Sequence, residues 1–193
     1  MILSNLLRKR LILASKSPRR KQLLEGLGLS FEIRLKEVEE EFPSDLKAGE
    51  IPLFLASLKA AAFRSEMKDD EVIITADTVV WLGDRVLNKP QDRTEALSML
   101  ESLSGRAHTV YTAVNIMSNS RSICLLDETE VRFKKLDKNE IEYYVDEFKP
   151  FDKAGAYGVQ EFIGYIGIDS LNGSFYNVMG LPIHRVYEEL KQF

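Results

Sequence analysis

The clearest hydrophobic pattern in the chain is a short run of mostly β-branched residues at positions 72–75. Such a run is typical of a strand that is buried on both faces of a sheet. It ends at Ala76, and Asp77 follows at once. Open α/β sheets hold their ligands at the carboxyl ends of buried strands, so this acid is a candidate functional residue. A glycine–aspartate pair then predicts a tight turn into a second strand at positions 85–87.

Similar patterns predict strands and helices on both sides of this stretch. Further strands are predicted at positions 11–14, 31–33, 109–116, 122–133 and 162–168. Five helices are predicted: from Pro18 to Gly26 or Gly28, from Pro52 to Met67, from Asp92 or Thr94 to Gly105, from Asp137 to Phe148, and from Leu181–Pro182 to Leu190. The pattern contains no internal repeat and no low-complexity linker.

Composition narrows the classes of protein that the chain can belong to. Its 193 residues suit one domain, which can have two lobes. A net charge of −4 predicts no general attraction to nucleic acid. No apolar run approaches the roughly 20 residues of a membrane span, and the basic residues near the N-terminus are misplaced for a signal peptide. The single cysteine, Cys124, cannot form an internal disulfide, which fits a reducing cytoplasm.

A strand–turn–helix segment near the N-terminus has the chemistry of an anion site. Ser17 is a plausible N-cap and Pro18 a plausible first helical residue. Free amides at the helix start, the hydroxyls of Ser15 and Ser17, and the guanidiniums of Arg19 and Arg20 would then surround an anion. Guanidiniums bind phosphate oxygens in a bidentate manner. The alternative is an ordinary capped helix with a basic, exposed turn; the coincidence of four features favours phosphate.

Other charged residues permit two interpretations at this stage. Asp77, Thr78 and Lys89 place a carboxylate, a hydroxyl and an ammonium around one strand edge, yet a solvated strand end would look the same. The acidic run at 37–41 is typical of a solvated face, although one of its members can reach a metal. Lys59 lies in an alanine-rich helix, where a lysine more often extends along the surface.

Four segments together resemble the Maf family, in the order of the family and over nearly the whole chain. They are LASKSPRR (13–20), ADTVV (76–80) with NKP (88–90), DKAGAYGVQ (152–160) and NGSFYNVMGLP (172–182). The resemblance implies a single Maf-like domain over residues 1–193. It implies an α/β fold like that of the inosine-triphosphate pyrophosphatases, with two lobes around a long mixed β-sheet, flanking helices, and the site in the cleft between the lobes.

The resemblance also implies an activity, the hydrolysis of a nucleoside triphosphate to the monophosphate and pyrophosphate. One branch of the family acts on dTTP and UTP and has Thr after the aspartate and Gln after Y-G-x, here Thr78 and Gln160. Its sister branch acts on 7-methyl-GTP and has Gln after the aspartate. Family members have been tied to septum formation, so a non-catalytic nucleotide-binding regulator of cell division is the alternative function.

The resemblance also implies roles for individual residues, because their positions match those of charged residues in the family's cleft. Arg19, Lys59 and Lys89 are expected to neutralise the triphosphate, with Ser15, Ser17 and Arg20 also binding substrate. Glu40 and Asp77 are expected to hold a divalent cation, Mg²⁺ or Mn²⁺, and Asp77 to act as general base. Thr78 and Gln160 are expected to read the pyrimidine, since an amide can pair with its carbonyl and N–H edge. A homodimer is expected by analogy with the family, whereas composition predicts a cytoplasmic protein that binds no nucleic acid and no membrane.

Overall fold

A mixed β-sheet flanked by helices forms the framework of the protein. The computed structural model describes residues 3–193, so the first two residues of the expected domain lie outside the described part. Over this range the sheet has seven strands: β1 Arg10–Leu13, β2 Phe31–Ile33, β3 Glu71–Leu82, β4 Arg85–Leu87, β5 Ala107–Met117, β6 Ser122–Phe133 and β7 Ile168–Asn172. Their order is β2-β1-β3-β5-β6-β7, with β4 paired to β3. β1 runs parallel to β2 and β3, whereas β4 and β7 run antiparallel to their neighbours. The predicted α/β fold with a mixed sheet is confirmed.

The helices begin largely where the sequence carries capping signals. They are α1 Pro18–Glu25, α2 Glu50–Ala61, α3 Arg93–Leu103, α4 Lys138–Phe148, α5 Phe162–Gly167, α6 Phe175–Val178 and α7 Ile183–Leu190. The Ser17 hydroxyl accepts a hydrogen bond from the backbone N–H of Arg20, and Pro18 is the first helical residue, as predicted. Asp137 and Glu140 form a complete capping box at the start of α4. None of the helices in the described part of the chain is both long and apolar enough to cross a bilayer.

The strand predicted at positions 162–168 is wrong, because most of this segment forms α5. The prediction followed its aromatic and β-branched residues, but tertiary packing overrides such preferences. Gly164 and Gly167 are three residues apart and therefore lie on one side of the helix. A Cβ at Gly164 would stand 2.1 Å from the carbonyl oxygen of Val159, and one at Gly167 would stand 2.9 Å from Leu136. The two glycines thus allow a short helix to pack where a strand was expected.

The central strand, β3, is longer than predicted. It continues to Leu82, so Asp77 lies within the strand and not at its carboxyl end. The reason is local: residues 78–82 are again good strand formers, and the first turn residue is Gly83, whose φ of 64° suits the hairpin into β4. The prediction that Asp77 ends the strand is therefore wrong, although the predicted hairpin is confirmed.

The chain divides into two compact units, each built from separate segments. The first comprises the described residues up to Asp77, together with Thr112–Asp127 and Gly180–Phe193. The second comprises Thr78–Tyr111 and Glu128–Met179. The expectations of a single domain and of a cleft between lobes stay predictions.

The first unit buries residues from both faces of β3. Val72, Ile74 and Ala76 belong to one hydrophobic cluster with residues of β1 and α7. Ile73 belongs to a second cluster with Ala60 of α2. This alternation follows from the pleat of a strand, which points successive side chains to opposite faces.

In the second unit, α3 packs against α4, and α4 packs against α5. The ring of Phe133 lies 5.4 Å from His108 and 5.0 Å from Tyr157, measured between ring centroids. His108 Nε2 and the Tyr157 hydroxyl share a hydrogen bond of 2.8 Å. This core therefore includes a neutral polar pair among its aromatic rings.

Candidate active site

The first unit brings Asp77 and Lys59 together. Since β3 alternates, Asp77 shares the face of Ile73 and Thr75, which is the face covered by α2. The Thr75 hydroxyl donates to the carbonyl of Ala56 at 2.7 Å and so joins the strand to the helix. Lys59 lies about one helical turn further along α2 than Ala56, and its Nζ contacts Asp77 Oδ1 at 2.6 Å. Asp77 is 8% exposed, so its carboxylate is largely buried.

Glu40 joins this pair from a segment outside the helices and strands. Its Oε1 lies 3.0 Å from Lys59 Nζ, and its side chain is 49% exposed. One ammonium therefore holds two carboxylates, one buried and one half-exposed. Lys59 is thus a member of a charged cluster, in place of the surface lysine that is usual on such a helix.

The donor set of Glu40 and Asp77 suits a magnesium-type cation. Their oxygens are at most 5.6 Å apart, the sum of the 2.6 and 3.0 Å contacts to Lys59 Nζ. Within residues 3–193, no group of three or more His, Cys, Asp or Glu is arranged to hold a metal ion. Mg²⁺ is commonly bound by one or two carboxylates together with substrate phosphates. The two carboxylates therefore supply the type of donor atom that such a site uses, and other oxygens would complete the coordination shell.

The turn before α1 joins the same unit through Arg20. Its Nη1 donates to the carbonyl of Ala76 at 2.7 Å and to the Ser15 hydroxyl at 3.3 Å, and its Nε donates to the carbonyl of Gly180 at 2.8 Å. Ser15 also accepts from the backbone N–H of Ser17. Arg20 thus ties three segments that are distant in sequence, and it binds the residue directly before Asp77.

The charges around Arg20 show which candidates lie near one another. Burial lowers the pKa of its guanidinium, Asp77 and Glu40 oppose that shift, and Arg19 adds to it. Like charges lower the pKa of a base and opposite charges raise it, each over a short range. The candidate residues Arg19, Arg20, Glu40 and Asp77 therefore belong to one electrostatic cluster.

Thr78, Lys89 and Gln160 belong to the second unit. Thr78 follows Asp77 in β3, and Lys89 is exposed two residues after β4. The carbonyl of Asn88 accepts from the backbone N–H of Gly155 at 3.1 Å. A Cβ at Gly155, whose φ is 67°, would stand 3.0 Å from Val80. Gly155, in the segment 152–160, is thus held against β3 and against Asn88, the residue before Lys89.

Gln160 has an unused hydrogen-bonding atom. Its Oε1 is buried and, among the residues described, has no hydrogen-bond partner. Buried side-chain acceptors are nearly always paired, and leaving one unpaired costs roughly 1–3 kcal/mol. An unpaired amide oxygen is what a site needs if a ligand N–H is to be recognised.

The sequence analysis missed the groups that surround Gln160. The carboxylate of Glu161 accepts from the Tyr144 hydroxyl at 2.5 Å and lies 3.2 Å from Lys153 Nζ. Lys153 is 7% exposed, which is rare for a lysine. A signal was present in the sequence, because Lys153 stands directly before the small residues Ala154, Gly155 and Ala156.

Known proteins resemble this chain over its full length. The family model described as Maf-like protein matches residues 10–193. A dTTP/UTP pyrophosphatase of Parabacteroides distasonis is 50% identical over 193 residues, which covers 100% of both chains. The protein of that name from Bacteroides fragilis is 50% identical over 99% of this chain and 100% of its own, and that of Porphyromonas gingivalis is 48% identical over 100% and 98%.

Among solved structures, the Staphylococcus aureus Ham1 protein aligns with 94% of this chain and 100% of its own, at 14% identity and a TM-score of 0.46. The family match extends from β1 to the last residue and includes all four segments quoted above. With relatives at half identity and complete coverage, the conclusion is direct: the chain belongs to the Maf family.

Proposed function

We propose that this protein hydrolyses dTTP and UTP to the nucleoside monophosphate and pyrophosphate. Full-length relatives at 50% identity bear the name dTTP/UTP pyrophosphatase. The observation that carries the proposal is the cluster in which Lys59 holds Asp77 at 2.6 Å and Glu40 at 3.0 Å. A buried acid beside a basic group and a second acid suits the attack of water on an anionic phosphorus centre.

Asp77 is the proposed general base, and Lys59 keeps it in place. Within this cluster the ammonium offsets the repulsion between two neighbouring carboxylates. A triphosphate would compete with those carboxylates for Lys59, since phosphate oxygens are strong acceptors for an ammonium. Lys59 would then neutralise phosphate charge while Asp77, relieved of one contact, accepts a proton from water. Arg19 and Lys89 are proposed to neutralise the rest of the chain of phosphates.

Glu40 and Asp77 would also hold a divalent cation, Mg²⁺ or Mn²⁺. When bound, the ion supplies positive charge opposite the negative charge that develops on the phosphates. Arg20 keeps the backbone at Ala76 fixed, so the direction of the Asp77 side chain is set before substrate arrives. Ser15 and Ser17 present their hydroxyls in the turn before α1.

Gln160 is proposed to read the base, with Thr78. The N3–H of thymine and uracil is a donor that can satisfy the unpaired Gln160 Oε1. Cytosine has an unprotonated nitrogen at that position and would leave two acceptors opposed. A methyl group changes binding by only about 1 kcal/mol, so dTTP and UTP should be similar substrates.

Pyrophosphate release from a panel of nucleoside triphosphates tests the proposal. With Mg²⁺ present, dTTP and UTP should be cleaved far faster than CTP, ATP or GTP, and EDTA should abolish the activity. An Asp77→Asn preparation, purified in parallel, controls for contaminating phosphatases. Binding of dTTP without release of pyrophosphate would contradict an enzyme and favour the non-catalytic regulator. Cytoplasmic location and a homodimer remain predictions.

A further inference from the structure

Glu161 makes contacts that the proposed reaction does not use. Its two carboxylate oxygens have different partners: Oε2 accepts from the Tyr144 hydroxyl at 2.5 Å, and Oε1 lies 3.2 Å from Lys153 Nζ. The Glu161 side chain is 21% exposed and that of Lys153 is 9% exposed. Both oxygens are therefore engaged within the second unit, which suits a structural anchor better than a ligand for metal or phosphate.

The same contacts hold the backbone on the other side of Gln160. The N–H of Gly158 donates to the Tyr144 hydroxyl at 3.0 Å. A Cβ at Gly158 would stand 2.6 Å from the carboxyl carbon of Glu161, so the carboxylate lies directly over this glycine. Gly158 lies two residues before Gln160, and Glu161 is the residue directly after Gln160. The segment is thus fixed at both ends of a stretch that contains Gln160.

Tyr144 can serve as a lasting donor in this arrangement. Burial, and then the hydrogen bond to Glu161, raise the pKa of its hydroxyl well above the ordinary value. The hydroxyl stays protonated, donates to Glu161, and accepts from Gly158 with its lone pair. The Tyr144 side chain is fully buried in the second unit, so the surrounding packing restricts its movement.

We propose that Glu161 is a positioning residue that sets the orientation of Gln160 for reading the pyrimidine. The inference rests on the proposed function. Glu161 acts through Tyr144 and Lys153, which restrain the backbone of 158–161, and Gln160 is the residue that meets the base. Discrimination by a single amide requires that its oxygen be held in one orientation, since a loosely held amide can rotate to offer its N–H₂ group to cytosine.

Steady-state kinetics of Glu161→Ala with UTP and CTP test this inference, with Glu147→Ala, an exposed glutamate of α4, as the matched control. We expect the ratio of kcat/KM for UTP over CTP to fall about threefold to fivefold in Glu161→Ala, less than in a variant without the Gln160 amide. The fall should come mainly from a higher KM for UTP, with kcat changed less than about twofold. Glu147→Ala should keep the wild-type ratio. An unchanged ratio in Glu161→Ala would overturn the proposal.

A milder pair of variants keeps the test decisive if Glu161→Ala does not fold. Tyr144→Phe removes the hydroxyl alone, and Glu161→Gln keeps an acceptor for it. We expect Tyr144→Phe to lower the UTP-over-CTP ratio and Glu161→Gln to lower it less. A uniform loss of kcat for both nucleotides, with the ratio intact, would mean a merely structural role and would overturn the proposal.

Hydrogen exchange separates failure of this inference from failure of the proposed function. The Gly158 amide, which donates to Tyr144, should exchange faster in Tyr144→Phe than in Glu147→Ala whether or not the protein is an enzyme. Wild type that releases no pyrophosphate from dTTP or UTP contradicts the proposed function. Wild type that is active and prefers UTP, with unchanged Gly158 exchange and unchanged preference in Tyr144→Phe, contradicts the positioning role alone.

Discussion

The two units hold their candidate residues in different ways. In the first unit, the groups are charged and contact one another directly, as in the cluster of Lys59, Asp77 and Glu40. In the second, Gln160 is neutral, and its position depends on contacts made by its neighbours Gly158 and Glu161. Ion pairs between side chains can exchange a partner for a phosphate, whereas a fixed backbone keeps one orientation. The first arrangement suits the handling of charge, and the second suits the recognition of a base.

The largest expected effect comes from the buried acid of the first unit. Asp77→Asn should lower kcat by about 10²–10⁴-fold, because loss of a general base typically costs that much. The fold should persist, since Lys59 keeps its contact with Glu40. Asp84→Asn, in the exposed turn after β3, is the control. A wild-type kcat in Asp77→Asn would remove this residue from the mechanism and erase the contrast between the units.

The neutral pair in the core of the second unit predicts how stability depends on pH. Burial lowers the pKa of His108 from 6.5 to about 4. The unfolded chain therefore binds a proton between these values and the folded chain does not, so stability is present above pH 6.5 and is lost as the pH falls toward 4. The loss should reach about 3 kcal/mol.

Denaturant unfolding at several pH values checks this expectation. His108→Gln should be less stable than wild type at neutral pH, because it loses the hydrogen bond of the imidazole to Tyr157. Its free energy of unfolding should, however, change less than that of wild type between pH 6.5 and 4. If the free energy of unfolding falls equally with pH in wild type and variant, groups other than His108 cause the acid sensitivity.

Two adjacent arginines of the first unit are expected to have different roles, Arg20 in stability and Arg19 in substrate binding. Arg20→Ala should reduce the free energy of unfolding by about 3 kcal/mol, since it leaves the carbonyls of Ala76 and Gly180 without their donor. Arg19→Ala should raise KM for dTTP about tenfold through the lost phosphate contact. Thermal melts of both variants measure the change in stability, and initial rates with dTTP measure the change in KM. An unaltered kcat/KM in Arg19→Ala would shift phosphate binding to other groups.

The smallest effect concerns the amide itself. Gln160→Ala should narrow the gap between UTP and CTP by about fivefold to tenfold in kcat/KM, with a smaller change in kcat. Competition assays with both nucleotides measure the ratio directly, and Gln192→Ala, exposed after α7, is the control. If wild type already hydrolyses CTP as fast as UTP, Gln160 does not read the pyrimidine edge.

Local signals were sufficient for the parts of the fold that depend on a few neighbouring residues. The cap at Ser17 and the helix start at Asp137 depend only on groups within three positions, and both are confirmed. The helix at Phe162–Gly167 depends on packing against Val159 and Leu136, which spacing alone does not reveal. Strand propensity therefore gave the wrong element there.

The candidate site shows the same limit. The resemblance to the family identified Asp77 and Lys59 as candidates, but it did not reveal that the lysine contacts two acids at once. Arg20 was expected to bind phosphate, and its contacts with the backbone carbonyls of Ala76 and Gly180, far away in sequence, could not be foreseen from the motif. Glu161 was not identified at all, because its contact with Tyr144 of α4 joins residues that are far apart in sequence. Residue type suggests chemistry, whereas direction depends on tertiary contacts.

The discontinuity of the two units has a consequence for inheritance and for folding. The chain passes from one unit to the other after Asp77, Tyr111, Asp127 and Met179. A single crossover inside residues 78–179 would build at least one unit from segments of two parent sequences. Neither unit can therefore be exchanged as one continuous segment. During synthesis, the first unit must also wait for its last segment, Gly180–Phe193. Such dependence on sequence-distant partners slows folding.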